Sequence, residues 1–289
     1  MVSLARHRLI LGAIVCALLL VSGYLALVQT AWGHTLDNAG YFGRSAVART
    51  VVDYDHQILG AVSIPSLALA IVVILLIGAI RRCLPGAIIL AAGFACAVVG
   101  AELLKHVLPW HALVPEDSYL HPNLRHDTYP SGHTTVGTSL ALALLLISSA
   151  GWRPWLAVLA GFMSASFATG VLFAGWHRPS DALGGIVWSG LCMSLAAIAA
   201  VTWCGREIRP SQNASSALVV STFLLAILIL ALVWSVAAKA GDSHPDADAP
   251  FLILTLLIVF GSFAVAAWFG WQLRVVDWRP RSSPRQVVS

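Results

Sequence analysis

Eight stretches of this chain, at about 9–32, 57–80, 84–104, 133–150, 154–175, 182–204, 217–239 and 250–273, are runs of roughly 20 mostly apolar residues. Such a run crosses a hydrocarbon core about 30 Å thick as a helix, because a helix rises about 1.5 Å per residue and satisfies its own backbone. Only 10% of the residues are charged, against about a quarter in soluble domains, and the mean hydropathy is +0.83. The expected fold is therefore all-α, a polytopic membrane helical bundle of about eight transmembrane helices. The first run is longer than the 7–15 residues of a secretory signal core, so it is read as an uncleaved anchor behind Arg6 and Arg8.

The basic residues give the expected orientation. With the N-terminus inside, Arg6, Arg8, Arg81, Arg82, Arg153, Arg206, Arg209, Arg274, Arg279, Arg281 and Arg285 are cytoplasmic, 11 of 17 Lys+Arg. Arg44, Arg49, Lys105, Arg125, Arg178 and Lys239 fall outside, with all acidic residues but Glu207 and Asp277. Both termini are expected in the cytoplasm. The net charge of +4 then reports topology and attraction of the tail to anionic lipid headgroups, and no nucleic-acid-binding motif competes with that reading.

The bilayer is one expected partner. None of the five cysteines lies in an outer loop, so no disulfide framework is expected. Asp242, Asp246 and Asp248 read as a solvated turn. The outer-loop histidines His106, His111, His121 and His126 fit no zinc spacing, and no metal site is assigned to them. Residues 33–56 are read as a lid or a solvated loop, and the tryptophans near the span ends, Trp110 and Trp176 among them, as an interfacial belt.

Three stretches distant in sequence come to the same outer face: Lys105 at the end of the third span, Tyr129-Pro130-Ser131-Gly132-His133 opening the fourth, and Trp176 to Asp181 between the fifth and sixth. Each has an ordinary structural reading: a snorkelling lysine, a serine helix cap, an i,i+4 polar pair. Together they suit an anion-transfer site. Pro-Ser-Gly leading into a helix offers backbone N–H groups and a hydroxyl to phosphate oxygens, and Lys105 adds positive charge. His133 is placed to donate a proton, and His177, held by Asp181, to act as nucleophile.

These residues resemble the type 2 phosphatidic acid phosphatase (PAP2) superfamily, whose pattern is Lys-x6-Arg-Pro, then Pro-Ser-Gly-His, then Ser-Arg-x5-His-x3-Asp. The second motif is complete at Pro130 to His133, and the end of the third is complete as His177 and Asp181. The resemblance implies a PAP2-like core over 1–204, with two additional helices and a basic tail over 205–289. It implies a phosphohistidine on His177, activation by Asp181, a proton from His133, and phosphoryl binding by Lys105, Ser131 and Gly132, with no cofactor or metal.

The two motif arginines are missing. Their motifs fall on Ala112-Leu113 and Gly170-Val171, while a looser alignment of the first sets Trp110-His111 at Arg-Pro. Arg125 and Arg178 are the expected replacements.

The function so implied is hydrolysis of a lipid phosphate or pyrophosphate, of polyprenyl or cell-envelope glycolipid type, at the outer face of a bacterial plasma membrane. Phosphotransfer by the same residues is the second reading. The third is a degenerate PAP2-like lipid-binding subunit of envelope biosynthesis. A homo-oligomer and an envelope-enzyme partner are both left open.

Overall fold

The computed structural model describes residues 2–207 and 245–278. In chain order its helices are α1 (Val2–Gly23), extended by a π-helical turn to Val28, α2 (Ala31–Phe42), α3 (Arg49–Gly60), α4 (Ile64–Ile80), α5 (Leu84–Val107), α6 (Gly132–Ile147), α7 (Arg153–Phe173), α8 (Pro179–Cys204) and α9 (Pro245–Gln272). Two short strands, β1 (Arg206–Glu207) and β2 (Val276–Asp277), pair antiparallel.

The architecture is the expected all-α membrane bundle. Among the described residues, five helices are long and apolar enough to cross a membrane, or six if α3 and α4 form one broken span. The expected span at 57–80 is not one straight rod. Ser63 caps a new helix with Ser66 and Pro65 enters its first turn, so α3 and α4 meet at a 72° bend. Helix α6 has only 16 residues, about 24 Å at the helical rise, and the span expected at 217–239 lies outside the described residues.

Helix α6 packs against α5, α7 and α8, while α1 lies along α8 and α9 along α7. Its side chains from Thr134 to Ser139 are buried. Apolar side chains such as Leu11, Leu18, Leu69, Leu103, Leu195 and Phe260 point outward from the bundle, where a lipid surround removes the cost that water would impose.

At the end of the bundle away from the three motifs, Arg153 is fully buried. Its guanidinium donates to the carbonyls of Ser148 (3.0 Å), Leu146 (3.4 Å), Leu273 and Val276. One cation thus gathers the C-terminal carbonyls of α6 and of the turn after α9, where helix dipoles leave negative potential.

Residues 33–56 are not a solvated loop. Most of them form α2 and α3, and α2 buries His34, Asp37 and Asn38. The buried carboxylate of Asp117 accepts from Asn38 Nδ2 (2.7 Å) and from the amides of Leu113 (2.8 Å) and Val114 (3.1 Å), and it lies 2.8 Å from His34 Nδ1. Burial opposes its charge, but the bonds from Asn38, His34 and the two amides win and hold its pKa below the usual value. The long connection between α5 and α6 is thereby fastened to α2.

Candidate active site

Helix α7 ends in a Schellman turn. Gly175, at φ +72°, donates its amide to Leu172 O (3.0 Å), and Trp176 donates to Val171 O (2.9 Å). Only glycine takes this left-handed conformation cheaply. The next amide, that of His177, also reaches Val171 O (3.1 Å), which fixes the nucleophile candidate at the mouth of the turn. Arg178 then stands at the N-cap of α8, with Pro179 in the first turn.

Asp181 closes this corner. Its Oδ2 accepts the Arg178 amide (3.1 Å) as the third residue of the capping pair, accepts the Thr128 hydroxyl (2.7 Å), and lies 3.2 Å from His177 Nδ1. His177 is 8% exposed and Asp181 0%. With Nδ1 held by the carboxylate, Nε2 is the ring nitrogen left for substrate.

The second motif lies directly on α8. The amide of Ser131 donates to Asp181 O (2.9 Å), and Gly184 and Gly185 make the approach feasible. A Cβ at Gly184 would fall on the Tyr129 ring, and one at Gly185 would come 2.9 Å from Ser131 O. Ser131 takes its structural role as the N-cap of α6, accepting from Thr134 N at 3.4 Å. The His133 ring lies edge to face with Trp176, centroids 5.1 Å apart.

Lys105, from the end of α5, reaches the same place but does not come alone. Its Nζ donates to both carboxylate oxygens of Glu102, at 2.8 and 3.0 Å, and a Cβ on Gly132 would lie 2.5 Å from Glu102 Oε1 and 3.6 Å from Lys105 Nζ. A carboxylate therefore stands beside the expected phosphoryl pocket. The i,i+3 spacing of Glu102 and Lys105 on one helix is the sequence signal for it.

The two arginines expected as clamps have other partners. Arg125 is exposed and donates to the carbonyls of Leu120 (2.9 Å) and Ser118, tying up its own loop. Arg178 is 2% exposed, lies under the Trp110 ring (5.1 Å), donates to Thr128 Oγ1 (2.8 Å), and pairs with Asp181 (3.7 Å) and Asp37 (3.9 Å). It is the counter-charge of two buried carboxylates, which is what a guanidinium this deep requires.

Asp37, from α2, escaped sequence reasoning, as did Thr128 and Glu102. Trp110 and Trp176, assigned above to an interfacial belt, are walls of the site. Among the described residues no three His, Cys, Asp or Glu side chains group as metal ligands, and the four loop histidines do not converge.

The fold and this end cluster define a class: a helical membrane protein with a buried histidine–aspartate pair at the mouth of its bundle. Within it, residues 83–206 match the family model described as the PAP2 superfamily, a stretch that spans α5 to α8 and all the motif residues from Lys105 to Asp181. The match and the apolar helices fit a membrane member of a phosphatase superfamily. No curated protein and no solved structure matches the chain.

Proposed function

We propose that the protein hydrolyses a lipid phosphate or pyrophosphate, of polyprenyl or envelope-glycolipid type, at the outer face of a plasma membrane. The observation that carries this reading is the His177–Asp181 pair, 3.2 Å apart and locked by Thr128 and the Arg178 amide, beside the N-terminus of α6.

In the first step His177 Nε2 forms a bond to phosphorus as the ester or anhydride P–O bond breaks, and His133 gives its proton to the leaving oxygen. Asp181 holds the ring and balances its positive charge. In the second step water attacks phosphorus, the N–P bond breaks, and His133 takes the proton back. The free amides of the first turn of α6 at Gly132 and His133, with Lys105, receive the phosphoryl oxygens.

A second reading, lipid binding without turnover, draws on the Lys105–Glu102 pair, which neutralises a cation the chemistry would use. Release of inorganic phosphate from a panel of lipid phosphates and diphosphates by the purified protein, beside His177→Ala, separates the two. Release that disappears in the variant supports hydrolysis, and no release from any member of the panel favours the binder.

A further inference from the structure

A cavity of about 390 Å³ opens beside the site, walled partly by residues outside the stretch that matches the PAP2 superfamily. Arg44 and Tyr41 line it from the α2 end, His56 from α3, and His121 and Asn123 from the connection before α6, with Trp176 as the shared wall. Among the described residues no carboxylate lines it, and Asp55, next to His56 in α3, packs against Gly170. The Trp176 indole meets both the His133 ring (5.1 Å) and the His56 ring (5.3 Å), so the cavity and the histidine site share one side chain.

Arg44 is held for use there. Its guanidinium stacks on the Tyr41 ring at 3.8 Å and Nη1 donates to Tyr41 O at 3.1 Å. Nε and Nη2 make no hydrogen bond among the described residues, and they lie over Gly175, where a Cβ would come within 2.8 and 3.2 Å of them. Gly175 stands two residues before His177, on the turn that follows Gly170-Val171, where the third motif's Ser-Arg is missing.

We propose that this cavity binds a second phosphoryl group of the substrate headgroup, one that His177 does not attack, through Arg44, His56 and His121. This rests on the hydrolase reading for the identity of the ligand. The chemistry is that of a phosphate oxyanion: a planar fork whose Nε and Nη2 make no hydrogen bond among the described residues, two imidazoles and the Asn123 amide. The volume suits a phosphoryl group with a small neighbour such as a sugar or a second phosphate. Arg44 then supplies a guanidinium on the side where this chain lacks the arginine of the family pattern.

Calorimetric titration of the full-length protein in detergent with inorganic pyrophosphate and with glucose 6-phosphate tests it, with phosphate release from lipid phosphates measured in parallel. Binding of either probe that weakens about 10-fold or more in both Arg44→Gln and His56→Ala is expected, the order of one charged hydrogen bond. Preference for pyrophosphate assigns the group to a diphosphate, and preference for the sugar phosphate to a phosphorylated sugar headgroup. His56 is exposed, so its variant keeps the test valid if Arg44→Gln disturbs folding. Wild-type protein that binds neither probe at millimolar concentration, or variants that bind within twofold of it, would overturn the proposal. His177→Ala is expected to end phosphate release while pyrophosphate binding stays within about threefold. Arg44-dependent binding without release from any lipid would sink the hydrolase reading and leave the pocket standing.

Discussion

Asp37 on α2 holds Ser180 at the start of α8 by two hydrogen bonds, accepting the Ser180 amide at 2.8 Å and its hydroxyl at 2.6 Å. A helix outside the PAP2-matched stretch thus fixes the first turn of the helix that carries Asp181, and it does so with a carboxylate buried beside Arg178.

Burial raises the Asp37 pKa to about 6, with Arg178 and the Ser180 bonds opposing the rise. A carboxyl with a folded pKa above its unfolded value favours the folded state fully below about pH 4, and loses that contribution as pH climbs through 6. Relative to Asp37→Asn, wild-type protein is expected to lose thermal stability between pH 4 and pH 6.5, read from melting curves in detergent. Parallel curves for the two proteins across that window would refute the assignment.

His177→Ala is expected to abolish turnover, and Asp181→Asn to slow it by about 10²-fold or more while the protein stays folded, because the asparagine Oδ1 can still accept the Arg178 amide and Asp37 still faces Arg178. An acid-labile phosphoenzyme trapped at short times, and absent from His177→Ala, is the confirming observation. Full activity in the alanine variant would end the phosphohistidine route.

Glu102 restrains Lys105, so Glu102→Gln is expected to free the ammonium and lower KM for a lipid phosphate about three- to tenfold with little change in kcat. Lys105→Ala should raise KM instead. A Glu102→Gln enzyme with raised KM would mean that the carboxylate helps to place the lysine and does not compete for it.

Gly184→Ala sets a methyl group against the Tyr129 ring and pushes the Ser131 segment off α8. Activity is expected to fall at least 10-fold, with a lowered melting temperature, as overpacking of a tight contact commonly costs about 1–3 kcal/mol. Gly86→Ala, where nothing lies within 4 Å of the new methyl, is the control and should behave as wild type.

The bundle and the convergence of Lys105, His133, His177 and Asp181 at one end were legible because apolar runs and helix-terminal motifs are local signals. The electrostatics of the site were not. Arg178 adjoins the nucleophile in sequence, yet its partners Asp37 and Thr128 lie 141 and 50 residues away, and no periodicity links them. Trp110 and Trp176 sit where interfacial tryptophans belong, so composition favoured the belt over their contacts with Arg178 and His133. Residues 33–56 looked solvated because their charges are dense, whereas Asp37 turns inward to meet Ser180 and Asp55 packs against Gly170.

Arg153 carries a consequence for how the chain is made. Its guanidinium waits in the growing polypeptide for the carbonyls of Leu273 and Val276, which are synthesised about 120 residues later. Until they arrive, the cation that ends up sealed from solvent has, among its protein acceptors in the described residues, Leu146 and Ser148 alone. The far end of the bundle therefore closes late in biogenesis, when α9 and the turn behind it are laid in place. A ribosome stalled before that point would present the membrane with an insertion intermediate in which this guanidinium still needs water in place of the two late carbonyls.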